Sequence, residues 1–267
     1  MTLRDGRRVL VVAFVACLTS FARPALAQDN PGFSTSSITA RYGRNYTEPD
    51  ISEDVPKSSF TFENTAVRRY WSSYLFVDAI RSWSDADENA KEVYGEWYPS
   101  LSLRALAGKQ RSKDFLRDIS VTAGLNMGTR STGVSPFAVL PGLTFELNVP
   151  GFAFFSLGAF AYIDRGRFEG QPTECKGTTW QLTPSWAAPF KIGGARLKAD
   201  GFADFVGSHA NCEAWILTQP RLLLDLAALW RKPGKLYVGV EARYWRNKYG
   251  ISGLEDKFVL PVLILMF

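Results

Sequence analysis

The sequence predicts an all-β protein, a transmembrane antiparallel up-and-down β-barrel of about 12 strands. Three observations predict it. Strand-like runs of about ten residues recur roughly every 20 residues, separated by Gly/Pro/Asn/Asp-rich connections. Along several runs polar and apolar residues alternate, as they must when one parity meets lipid and the other a polar lumen. Aromatic residues are abundant (19 Phe, 10 Tyr and 8 Trp, 14% of 267 residues), yet beyond residue 28 no stretch approaches the ~20 consecutive apolar residues of a transmembrane helix.

The chain opens with a targeting segment. Arg4, Arg7 and Arg8 precede an apolar run over residues 9–18, and Ala25-Leu26-Ala27 offers small residues before Gln28, which is the pattern of a secretory signal peptide over residues 1–27. The run is too short to span a bilayer. Cys17 after Val15-Ala16 suggests a lipoprotein signal, but Phe14 and the short run fit that poorly. The barrel then occupies residues 28–267. Four of the Lys and Arg and one of the Asp and Glu leave with the signal, so the formal charge of +5 falls to +2. No basic run or motif remains, and nucleic acid is not an expected partner.

The expected strands are, in order, residues 33–45, 60–68, 74–82, 97–107, 117–128, 133–148, 152–165, 178–190, 195–206, 216–230, 236–247 and 258–267. Their even number is that of a bacterial single-chain barrel. Polar segments 46–57 and 83–96 separate the early strands as long loops, and 166–177 and 207–215 do so later. Tight turns lie at 149–151, 191–194 and 231–235. Short turns on one side and long loops on the other are the expected asymmetry. In 117–128, Asp118, Ser120, Thr122 and Asn126 face away from Ile119, Val121 and Leu125. In 195–205, Arg196, Lys198, Asp200, Phe202 and Asp204 share one side. Strand 216–230 sets Gln219, Arg221 and Asp225 against Leu222, Leu224 and Leu226, and 236–247 sets Gly239, Glu241, Arg243, Trp245 and Asn247 against Leu236, Val238, Val240, Ala242 and Tyr244. The last strand is apolar on both faces.

Alternation alone does not exclude a soluble β-sandwich or lipocalin-like barrel, because turning the protein inside out preserves the pattern. Three features favour the membrane form. The polar faces carry charges of both signs. Trp97, Tyr98, Trp180, Trp230, Tyr244 and Trp245 lie near strand ends, where interfacial girdles are expected. The last strand ends on Phe267.

Several blocks resemble a known family. Tyr94-Gly95-Glu96-Trp97-Tyr98-Pro99, Pro150-Gly151-Phe152, Trp186 with Pro189-Phe190, Asp200-Gly201-Phe202-Ala203-Asp204, residues 218–225 and residues 244–251 are similar to the Tsx-like and OmpK-like nucleoside-specific outer-membrane channels. The resemblance covers nearly the whole mature chain. It implies a monomeric 12-stranded barrel in the bacterial outer membrane, seated in lipid, with a narrow lumen that passes nucleosides. The blocks read as framework more than as a nucleoside pocket, so fold transfers better than substrate.

A nucleoside is neutral, with a flat base and a hydroxyl-rich sugar, and a pore selecting it needs aromatic faces beside hydrogen-bonding groups. The inferred lumen set offers Phe76, Phe160, Tyr162, Phe202 and Trp245 as stacking surfaces. Arg196, Lys198, Asp200, Asp204, Arg221, Asp225, Glu241 and Arg243 are its polar partners, or else salt bridges that close the lumen. Arg221 with Asp225, and Glu241 with Arg243, form one candidate network. Mixed signs predict a lumen without a strong field. Passive diffusion of small hydrophilic solutes is the leading expectation. A surface receptor or adhesion barrel, open to phage use, is the alternative, and a lipid hydrolase comes third.

For catalysis, His209 is the only histidine. It stands beside Ser208 and Asn211 without a nucleophile elbow and reads as a solvated loop residue. One histidine and two distant cysteines give no metal-ligand spacing, and no cofactor is expected. Once Cys17 is removed, Cys175 and Cys212 remain in an oxidising compartment and are expected to staple two outer loops, two free thiols being the alternative. Pro99, Pro141, Pro184, Pro220 and Pro261 each fall in a descending strand with lipid-facing parity, which predicts a belt of bulges or bends.

Overall fold

The structure, a computed structural model, describes residues 32–49, 51–130, 133–169 and 175–267. The expected signal peptide lies outside the described residues. The elements are β1 (Phe33–Glu48), β2 (Ile51–Val67), β3 (Trp71–Ser82), β4 (Lys91–Ser102), α1 (Leu103–Leu106), β5 (Leu116–Thr129), β6 (Gly133–Ser135), β7 (Phe137–Leu147) and β8 (Phe154–Asp164). They continue with β9 (Arg167–Glu169), β10 (Gly177–Ile192), β11 (Ala195–Val206), β12 (Trp215–Thr218), β13 (Arg221–Asp225), β14 (Leu236–Arg246) and β15 (Asp256–Met266). Antiparallel pairing runs from neighbour to neighbour, and β15 returns to β1 from Ser37 opposite Met266 to Arg41 opposite Val262. Because β12 and β13 are two halves of one wall strand between β11 and β14, the closed barrel has 12 strands. The pair β6 and β9 forms a separate two-stranded ribbon.

The wall sorts residues by parity. On β15, Val259 is 66% exposed while its neighbour Leu260 is 1% exposed. Outward positions such as Val121, Leu143, Leu222, Val240, Leu263 and Leu265 make an apolar band. Exposed aromatics border it, with Trp71, Phe154, Phe190, Trp230 and Phe267 near the termini and Phe137, Trp180 and Phe205 toward the opposite end. Inward positions are Ser, Thr, Gln and charged residues, such as Thr39, Thr61, Asp118, Thr122 and Gln181, buried inside the wall. A closed barrel satisfies its own backbone and leaves no edge, so an apolar exterior can meet hydrocarbon. This is an outer-membrane β-barrel. No helix among the described residues is long and apolar enough to cross a membrane; strands make the crossing.

The last strand is apolar on both faces because its inward side is packed, not wet. Leu260, Val262 and Ile264 meet Tyr46, Val55 and Leu223 in one cluster inside the barrel. A second cluster holds Ala138, Leu140, Phe160, Tyr162 and Val206.

Four expected boundaries shift. Residues 46–57 are not a long loop, since β1 runs to Glu48 and β2 starts at Ile51. A register shift between Gly43 and Tyr46 inserts a residue, which turns Tyr46 and Glu48 inward where the even positions before it faced out. The expected strand 97–107 instead starts at Lys91, and its last residues form α1, capped by the Ser102 side chain accepting from the Ala105 amide. Residues 133–135 leave the wall for the ribbon with β9. Strand 216–230 stops at Asp225, whose carboxylate accepts from the Ala228 and Gly234 amides and so starts a helical turn over Leu226–Trp230. The expected contrast of tight and long connections weakens accordingly, because α1 and this turn lengthen two connections at the termini end.

The prolines keep lipid-facing parity, and Pro56 on β2 joins them. Toward the preceding strand pairing passes through Pro99, Pro141, Pro184 and Pro261. Toward the following strand it lapses between Trp97 and Ser100, between Val139 and Gly142, and between Leu182 and Ser185. Pro220 falls in the gap between β12 and β13, while β1 pairs with β15 only from Val262 on, and β2 with β3 only from Lys57 on. Both sides of each lapse between paired residues have equal length, so these are gaps in register and not the expected bulges. A proline has no amide to donate, and the ladder reopens beyond it without an extra residue. Opposite Pro220 lies Gly201 at φ +153°, where a Cβ would meet the Gln219 and Pro220 backbone at 2.8 Å.

Candidate solute pathway in the lumen

Register places the whole predicted lumen set on the inward face: Phe76, Phe160, Tyr162, Arg196, Lys198, Asp200, Phe202, Asp204, Arg221, Asp225, Glu241, Arg243 and Trp245. Their partners differ from those expected. Arg221 Nε lies 2.7 Å from Asp200 Oδ1, and its Nη1 lies 3.7 Å from Glu63 Oε2. Glu241 Oε2 pairs with Arg41 Nε at 3.0 Å, and its Oε1 accepts from Gln219. Arg243 Nε pairs with Asp256 Oδ2 at 2.9 Å. The candidate network of Arg221 with Asp225 and Glu241 with Arg243 does not form. Arg221 and Asp225, four residues apart on one strand, are ~13 Å apart and beyond ion-pair reach, while Glu241 and Arg243 are each taken by a partner on another strand, Arg41 and Asp256. Asp225 is committed to its turn.

The aromatic faces assemble into a track. Trp245 packs on Tyr249 with ring centroids 4.8 Å apart, on Trp215 at 6.0 Å, and Trp215 on Tyr162 at 6.1 Å. Two residues down β8 from Tyr162, Phe160 meets Tyr98 at 5.8 Å. Phe76 contacts Tyr74 and Tyr94. Tyr98 and Trp245 therefore belong to the lumen and not to the girdle expected for them. Trp97 and Trp180 do face outward.

Sequence reasoning missed the cluster at the end away from the termini. Lys57 Nζ lies 2.6 Å from Glu92, 2.9 Å from Glu48 and 3.2 Å from Asp87. Arg130 Nη2 reaches Glu48 at 2.7 Å and its Nε reaches Glu92 at 3.1 Å. Lys248 Nζ joins Glu48 at 3.0 Å and Asp256 at 3.3 Å. Burial favours its neutral amine, but Glu48 and Asp256 hold the Lys248 ammonium above its usual range. Arg130 follows β5 and Glu48 ends β1, so their pair crosses the mouth between strands that are not neighbours. Tyr249, at φ +59°, sits with its ring under both Arg130 and Lys248. A bulky residue there is strained, and the surrounding contacts hold it.

Two further loops converge on the same place. The structure joins Cys175 to Cys212 with Cα atoms 5.2 Å apart. Cys175 Sγ also faces the Tyr249 carbonyl at 3.5 Å. His209, expected from sequence to be a solvated loop residue, is buried. Its Nε2 lies 3.2 Å from Asp164 Oδ2 and its Nδ1 3.3 Å from the Gly207 carbonyl. No serine hydroxyl bonds to it among the described residues, and Ser208 is exposed.

The lumen charges are not evenly neutralised. Arg41, Lys198, Arg221 and Arg243 all have carboxylate partners. The inward carboxylates Asp78, Glu96 and Asp204 form no ion pair among the described residues; Thr61, Tyr94 and Thr183 hydroxyls donate to them. These three carboxylates are thus held by hydroxyls, where Asp200, Glu241 and Asp256 are held by cations.

No family model matches the chain, and no curated protein matches it. Among solved structures, similarity is found to a KdgM porin at 8% identity and TM-score 0.44, covering 88% of this chain and 98% of that one. The translocator domain of the autotransporter NalP from Neisseria meningitidis matches at 13% identity and TM-score 0.44, covering 91% and 90%. A bacterial polysaccharide outer membrane secretin matches at 10% identity and TM-score 0.41, covering 88% and 98%. At these identities and TM-scores the likeness assigns no substrate.

Proposed function

We propose that this barrel is a channel for passive diffusion of small hydrophilic solutes, with nucleosides as the favoured class. One observation carries the reading: an aromatic track from Trp245 through Trp215 to Tyr162 shares the lumen with a hydrogen-bonding wall of Arg41, Glu63, Gln219, Arg221 and Glu241. A flat base finds ring faces while the sugar hydroxyls find charged and amide groups, each contact weak enough to release. The resemblance to Tsx-like channels supports the same class.

Proteoliposome uptake tests it. Uridine is expected to enter faster than ribose relative to protein-free vesicles. Trp245→Ala is expected to cut uridine flux about fivefold with ribose flux unchanged, since loss of a base–aromatic stack is worth at least ~1 kcal/mol. An unchanged ratio of uridine to ribose flux counts against base recognition on this track.

A further inference from the structure

Asp204 sits in a place rich in acceptors and poor in donors. Gln181 Nε2 donates to Asp204 Oδ1 at 3.1 Å and to Thr183 Oγ1 at 2.9 Å, and the Thr183 hydroxyl donates to the same Oδ1 at 2.7 Å. This leaves Gln181 Oε1 buried and without a partner, on a side chain only 1% exposed. Flipping the amide does not help, because the oxygen would then face the carboxylate. A buried acceptor left open costs about 1–3 kcal/mol and calls for an explanation. Glu96 stands on the inward face of β4, two residues from Tyr98, and it too forms no ion pair among the described residues. Aromatic faces connect it to Gln181. Tyr98 packs on Phe160, which is directly opposite Gln181 in the ladder.

We propose that Glu96, Asp204 and Gln181 form a binding site for an organic ammonium, with the rings of Tyr98 and Phe160 taking its apolar body. An ammonium has three donors and no acceptor, which complements two carboxylates and an open amide oxygen. Its charge is matched by the carboxylates and by the ring faces. The site deepens the channel reading and rests on its polar lumen: at this one point of the pathway a cationic amine is held better than a neutral solute of the same shape. A neutral base carrying an amino group satisfies only part of it.

Calorimetric titration of the folded barrel in detergent tests the site without requiring conduction. Phenethylammonium chloride is expected to bind at least tenfold more tightly than 2-phenylethanol, and potassium chloride at equal ionic strength is expected not to displace it. Asp204→Asn and Glu96→Gln should each weaken phenethylammonium tenfold or more without changing 2-phenylethanol. Gln181→Glu, which keeps the shape and adds a charge, should tighten it. Equal binding of the two probes, equal displacement by potassium, or weaker binding in Gln181→Glu overturns the proposal. A barrel that conducts but binds both probes alike loses this site and keeps the channel. One that discriminates between them but passes no solute keeps the site and loses the channel.

Discussion

Replacing Lys57 with methionine is expected to cost about 3–5 kcal/mol of folding stability, because it leaves the buried Asp87 carboxylate without its cation and takes one cation each from Glu48 and Glu92. Glu48, Asp87 and Glu92 all lie within 3.2 Å of its Nζ, and these side chains are 2–8% exposed. Arg130 still reaches Glu48 and Glu92, and Lys248 still reaches Glu48, but neither forms an ion pair with Asp87. Lys198 provides the contrast. Its pair with Asp200 is closer to solvent, at 22% exposure, and Lys198→Met is expected to cost less than ~1 kcal/mol. Urea unfolding in detergent, followed by tryptophan fluorescence, separates the two. A Lys57→Met variant within 1 kcal/mol of the parent would contradict a buried, mutually dependent cluster.

Reduction of the Cys175–Cys212 bridge is the second large expected effect. The cysteines are 37 residues apart, and the chain-entropy relation gives a loss of about 4 kcal/mol for a loop of that size. Reduction also frees the two loops that surround Tyr249. Alkylation without reductant is expected to leave both thiols unmodified. The same unfolding series carries a pH signature through His209. Burial opposes its charge, but the hydrogen bond to Asp164, with help from the Gly207 carbonyl, raises its pKa above the usual histidine value. A raised value in the folded state means the protonated form is stabilising. That contribution is complete below the unfolded value, about 6.5, and is lost as pH rises through the folded one. His209→Gln is expected to flatten this dependence. Stability rising with pH across that window would reverse the assignment.

Particular residues show what the sequence makes legible. On β11 and β14 the inward charges recur at every second position, so parity alone assigns them. Glu48 and Lys57 are invisible to the same test, because the tip of the β1–β2 hairpin has polar residues on both faces and a register shift at Gly43 to Tyr46 resets the parity. Glu63, Asp78 and Glu96 stand singly among Thr, Phe and Tyr, which gives no run of charges to notice. Tyr98 is misread for a simple reason: β4 starts at Lys91, so the tyrosine lies well inside the strand and not near its start. The apolar inner face of β15 has its explanation in Val55 and Leu223, residues far apart in sequence that only closure of the barrel brings together.

The arrangement of lipid outside and polar groups inside is tested most directly on β5, where side chains are small. Single nitroxide labels at Ser120, Val121, Thr122, Ala123, Leu125 and Asn126, in a Cys175→Ser, Cys212→Ser background, would be reconstituted in phosphatidylcholine vesicles. Power-saturation spectroscopy then reports oxygen, which concentrates in hydrocarbon, against a water-soluble nickel chelate. Val121, Ala123 and Leu125 are expected to favour oxygen, and Ser120, Thr122 and Asn126 the chelate. The reverse order, or no alternation along the strand, would contradict the account.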